Sequence, residues 1–173
     1  MKILLVFDQG LAGAGGKSNP NIELTAVKGG VGSALMLEPH LAKKNIEILA
    51  TLYCGNQYFT EHQDEVVNKM SAMAKKLNPD YVVCGPCFDF KEFAKMSAMV
   101  ATSIANKTEI KACAMMAEQN QEIIDEYKNR IPIVKMPKKG GTGLNDSLIN
   151  LCDLIEKSTE IEQYNELKDK VCY

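Results

Sequence analysis

The residues whose types and spacing suit chemistry most directly are Cys84-Gly85-Pro86-Cys87. Two thiols separated by two residues fit dithiol–disulfide exchange, in which one attacks as a thiolate and its neighbour resolves the mixed disulfide. The pattern predicts the pair between a buried strand, Tyr81–Cys84, and a following helix. A helix N-terminus stabilises an anion by about 0.3–1 kcal/mol, so a first-turn cysteine there would have a lowered pKa. On this reading Cys84 and Cys87 are the candidate catalytic residues. Two other readings stay open for them, half of a metal site and simple packing. No second C-x-x-C supports zinc, and Cys54, Cys113, Cys152 and Cys172 are isolated, so no metal is expected.

Glycine loops form the second constellation. Gly10, Gly13, Gly15 and Gly16 follow the first apolar run, Gly29, Gly30 and Gly32 precede a short helical stretch, and Gly140, Gly141 and Gly143 precede a later one. Their spacing gives neither G-x-G-x-x-G nor a phosphate-loop pattern, and no cofactor is evident. Backbone N–H groups near Gly13, Gly15, Gly16, Gly55 and Gly85 suit a small anion or carboxylate, and a sharp turn of the chain explains the first loop equally well. Asp8 and Glu118, each after a predicted strand, are candidates for polar work or for capping. His40 and His62 are too far apart in sequence to nominate a dyad, and the nine methionines read as packing.

These groups need a scaffold that brings loops together. Short apolar runs alternate with amphipathic stretches, which predicts an α/β fold with a mostly parallel sheet of about five strands and helices on both faces, doubly wound in the Rossmann or flavodoxin manner. The strands are predicted at 2–7, 46–52, 81–84, 110–116 and 131–136. Helices are expected around 33–44, after Asn56, after Cys87, at 121–128 and from Leu144 onward. Residues 1–158 read as one domain. A last amphipathic helix over 159–173 either completes it or contacts a partner.

Composition bounds the function. The chain has 173 residues and a net charge of −2, and Arg130 is its only arginine, so no basic stripe points to nucleic acid. No apolar run is long enough to cross a bilayer. Met1–Phe7 carries one basic residue and runs into Asp8 without a cleavage pattern, so it reads as a buried first strand rather than a signal peptide. A cytoplasmic protein with reduced cysteines is expected.

The C-G-P-C letters match thioredoxin, but here they follow a third strand and Val83 replaces the preceding aromatic. Three collinear segments carry a more specific resemblance. Ala50-Thr51-Leu52-Tyr53-Cys54-Gly55-Asn56-Gln57-Tyr58-Phe59, the early Phe7–Gly16 and Asn78–Phe88 together resemble the selenoprotein B subunit of glycine, sarcosine and betaine reductases over roughly residues 1–157. The resemblance implies a cytoplasmic amino-acid-reducing system in which component B activates an amine substrate. It also implies partners: a small-molecule substrate and other subunits of a reductase complex, with a homo-oligomer left open. Three departures accompany it. The family's selenocysteine motif lies in a later region that these residues do not include. Asp89-Phe90-Lys91-Glu92-Phe93 replaces the family's small, arginine and tyrosine residues. Cys84 and Cys87 stand where small non-thiol residues are expected.

The glycine loops and the resembling segments nominate Gly13, Gly15, Gly16, Gly30, Cys54, Gly55, Asn56, Gly85, Pro86, Phe88 and Gly141 for ligand binding. The expected function is a small-molecule-binding or thiol-redox accessory domain related to component B. A non-catalytic binding or assembly subunit and a general dithiol oxidoreductase are the rival readings.

Overall fold

A strand at the centre of a sheet needs apolar side chains on both faces, and Ile3–Phe7 supplies five in succession. In the computed structural model, which describes residues 1–173, they form the middle of β1 (Lys2–Asp8) and are wholly buried. The other strands are β2 (Thr25–Lys28), β3 (Glu47–Cys54), β4 (Tyr81–Cys87), β5 (Lys111–Ala117) and β6 (Ile133–Met136). They lie side by side as β2-β3-β1-β4-β5-β6. All neighbours are parallel except β2, which runs antiparallel to β3.

Seven helices cover the sheet: α1 (Glu38–Ala42), α2 (Asn56–Glu61), α3 (Gln63–Leu77), α4 (Lys91–Lys107), α5 (Gln121–Tyr127), α6 (Leu144–Glu156) and α7 (Ile161–Val171). Alternate residues of β1 sort the two layers. Leu4 and Val6 join the apolar cluster that includes Phe59, Met70, Phe93 and Ile124 of α2 to α5. Ile3, Leu5 and Phe7 join the cluster that includes Leu41 of α1, Leu151 of α6 and Tyr164 of α7. The α/β reading with helices on both faces therefore holds.

The sheet has six strands instead of five. Residues 25–28, for which no strand is predicted, pair antiparallel with Ala50–Tyr53, half-buried and exposed side chains alternating along them. The helix predicted over 33–44 divides into a 3-10 turn, Gly32–Met36, and α1. At the other edge Tyr173 N–H donates to the Ile133 carbonyl at 3.0 Å, and Cys172 bridges to Val134.

Polar groups inside the second cluster are paired. The hydroxyls of Tyr81 and Tyr164 meet at 2.9 Å in the interior. Tyr164→Phe leaves the Tyr81 hydroxyl buried without that partner, and we expect a loss of about 1–3 kcal/mol in urea unfolding. An unchanged unfolding midpoint would show that the pair contributes nothing.

Candidate functional site

Taken without β2, the parallel strands follow the doubly wound order in which chain direction across the sheet reverses between the first strand and the third. Here that switch point lies between β1 and β4. Loops leaving neighbouring carboxyl ends diverge there, and a crevice opens between them.

The last residue of β1 organises the crevice floor. Asp8 is 3% exposed, and its carboxylate accepts from Leu11 N–H at 2.8 Å and from Asn56 Nδ2 at 3.0 Å. Gln9 follows, and its Oε1 accepts from the Asn56 backbone N–H at 2.9 Å. The loop beyond crosses the end of β3. Pro20 O accepts from the N–H groups of Gln57 and Tyr58, and Ile22 O accepts from that of Gly55. Gly55 makes this approach feasible, because a Cβ there would sit 1.9 Å from Pro20 O.

Gln9, Lys17, Pro20, Asn56, Gln57, Thr60, Phe90 and Glu92 line the resulting cleft of about 340 Å³. The Lys17 ammonium lies 5.6 Å from the Phe90 ring centroid, and both residues line the cleft. Glu92, in the first turn of α4, adds a carboxylate to the same wall. Asn56 Oδ1 is buried and has no hydrogen-bond partner. A buried acceptor left unpaired costs about 1–3 kcal/mol, so this oxygen marks a place where a donor is wanted.

A larger cleft of about 550 Å³ lies at the amino end of β6, among Lys128, Arg130, Lys135 and Lys168. Three of its four cations are exposed and Lys168 is half-buried, and neither of the molecule's two buried, unpartnered side-chain atoms belongs to its lining. The switch-point cleft is therefore the better candidate.

The nominated residues scatter around this centre. Asn56 lines the cleft, and Gly55 sits beneath the Pro20 loop. Gly13, Gly15 and Gly16 all have positive φ and shape the loop that carries Lys17. Phe88 is half-buried with its carbonyl accepting from Asn120 Nδ2 at 2.7 Å. Gly141 is exposed in the loop after β6, whose Lys139 pairs with Asp89 at 2.9 Å on the rim. Gly30 lies elsewhere, packed near Ala34, Glu38 and Ile48 toward the amino end of β3. His40 and His62 do not line the cleft.

The placement expected for the cysteine pair is corrected by the structure. Cys84, Gly85, Pro86 and Cys87 are all inside β4, and α4 begins only at Lys91, so neither thiol occupies a helix first turn. One extra residue in β4 makes an irregularity in the pairing, with Cys84 opposite Ala114 and Cys87 opposite Met116. Gly85 is required there, since its φ is +122° and a Cβ would meet Met115 O at 2.7 Å. Both thiols are fully buried, and burial pushes each one up from the ordinary cysteine value. Neighbouring Cys113 and Cys87 raise Cys84 further, while for Cys87 a 3.1 Å contact to Ser97 Oγ works against the rise. Cys54, at the end of β3, is pushed up to about 12 by burial and then by the Asp8 charge.

Gln9, Lys17, Gln57, Thr60, Phe90 and Glu92 escaped the sequence reading. Gln9 had the signal of directly following a strand-end acid. Lys17 carries no motif in the sequence, and Phe90 and Glu92 stand out there only as departures from the family's turn.

The chain's sequence has known relatives. Residues 1–171 match the family model described as glycine/sarcosine/betaine reductase selenoprotein B. The sarcosine reductase complex component B subunit beta of Peptoclostridium acidaminophilum is 26% identical over 94% of this chain and 36% of its own length. The glycine reductase complex component B subunit gamma of Carboxydothermus hydrogenoformans is 30% identical over 53% of this chain and 21% of its own. The corresponding gamma subunit of P. acidaminophilum is 29% identical over 69% of this chain and 27% of its own. The chain thus spans 21% to 36% of the length of these relatives. No solved structure matches it. With the match running from the first strand to the last helix, the chain belongs to the glycine/sarcosine/betaine reductase selenoprotein B family.

Proposed function

We propose that this domain binds a small amino-acid zwitterion in the switch-point cleft, as a binding element of a component B-type reductase assembly. The observation that carries the reading is the unpaired Asn56 Oδ1 under a cleft that also presents a cation and a carboxylate. A zwitterion has a carboxylate at one end and a cationic nitrogen at the other. Lys17 suits the first, and Asn56 Oδ1 with Glu92 suits the second. The relatives' names refer to glycine, sarcosine and betaine, all of which have this layout.

In this reading Cys84 and Cys87 fill the core, and reductive chemistry is supplied from outside these residues. Their burial and raised pKa values support that assignment, because thiol exchange needs an accessible thiolate.

Titration of the ¹⁵N-labelled protein with glycine and sarcosine tests the reading. Saturable shifts at Gln9, Asn56 and Gln57 are expected, and Lys17→Ala should weaken binding about tenfold, as loss of a charge-assisted contact does. Shifts confined to other regions, or none at millimolar ligand, would remove the cleft from consideration.

A further inference from the structure

The amide of Asn56 is held in one orientation. Its Nδ2 donates to Asp8 Oδ2 at 3.0 Å, and a carboxylate only accepts, so the opposite atom is the acceptor Oδ1. That oxygen is shielded from solvent, unpartnered, and belongs to a residue 8% exposed that lines the cleft. The groups that hold Asn56 in place, the Asp8 carboxylate and Gln9 Oε1, are acceptors and offer it nothing, and the neighbouring donors Gln57 Nε2 and Thr60 Oγ1 are engaged by Glu61 and by the Asn56 backbone carbonyl, each at 2.9 Å.

We propose that Asn56 Oδ1 accepts an N–H from the cationic nitrogen of the ligand, so that the site selects amino acids retaining at least one N–H over fully N-methylated ones. This rests on the zwitterion reading above. A site whose buried acceptor awaits a donor rejects the analogue that lacks one, because the acceptor then stays unpaired in the complex.

The test is a methylation ladder of glycine, sarcosine, N,N-dimethylglycine and betaine, titrated calorimetrically on the native protein. Affinity should fall by at least about tenfold at the last step, where the final N–H disappears. Betaine binding within about threefold of dimethylglycine overturns the inference and leaves zwitterion binding standing. No binding by any of the four removes both. Size is separated from hydrogen bonding by Asn56→Leu, which keeps the volume and removes the acceptor: discrimination that persists in this variant is steric and sinks the proposal. Should Asn56→Leu fail to fold, the Asn56 ¹³Cγ resonance of the native protein decides. It must move with dimethylglycine and stay with betaine, and any other pattern refutes the assignment.

Discussion

Raising the pH to between about 9 and 10 is expected to unfold the protein, through its thiols. The chain has six cysteines, and all are buried and free. Burial pushes Cys54, Cys152 and Cys172 up to about 12, and raises Cys84, Cys87 and Cys113 as well. In the unfolded chain the same groups ionise near pH ~8.5. A folded-state value above the unfolded one means that this contribution is fully present below pH ~8.5 and is lost as the pH climbs toward the folded-state values. One unit above the unfolded pKa, each thiol favours the unfolded chain by about 1.4 kcal/mol, and six together approach ~8 kcal/mol. Domains of this size are stable by about 5–15 kcal/mol, so that sum is decisive. Circular dichroism from neutral to alkaline pH, followed by iodoacetamide labelling and peptide mapping, reads both quantities. Labelling of Cys84 and Cys87 should begin only where the spectrum is lost. A flat native baseline beyond pH ~10 contradicts this expectation, and labelling of either residue in the folded state well below pH ~8.5 restores the dithiol reading.

Gly55→Ala is expected to destabilise the fold by about 2–3 kcal/mol and to abolish ligand binding, because overpacking here meets backbone rather than a yielding side chain. The new methyl would stand 1.9 Å from Pro20 O and 2.8 Å from Ile22 N. Relief requires the Pro20 loop to move away. The Pro20 carbonyl then abandons the N–H groups of Gln57 and Tyr58, and the cleft wall between Lys17 and Asn56 is dismantled. Thermal unfolding should drop by about 5–10 °C. A variant that melts like the native protein and binds glycine equally well would mean that the loop does not rest on Gly55.

Much of the scaffold was legible because buried parallel strands are continuous apolar runs. Ile3–Phe7, Tyr81–Val83 and Ala112–Met116 announce themselves in that way, and all lie in strands. β2 was not legible, since Thr25-Ala26-Val27-Lys28 has two apolar residues between polar flanks and gains its identity only from pairing with β3. Gly85-Pro86 misled for the opposite reason. As sequence it punctuates, yet the neighbouring β5 holds Cys87 in register with Met116 and carries the strand past it. The cleft was half legible. Asn56 and Gly55 came from a resembling segment, while Lys17 and Phe90 meet only in space, with 72 residues of chain between them.

The way the sheet finishes on either side bears on how the protein behaves when crowded. A row of unpaired N–H and C=O groups invites another chain to add a strand. On one flank that row is only as long as Thr25–Lys28, with a lysine at its end. On the other, β6 is equally short, bears an outward Lys135, and has its Ile133 carbonyl already taken by Tyr173. Each edge therefore offers a neighbouring copy a template of four residues, short, lysine-bearing and on one side already partly paired, which is poor ground for growing a fibre.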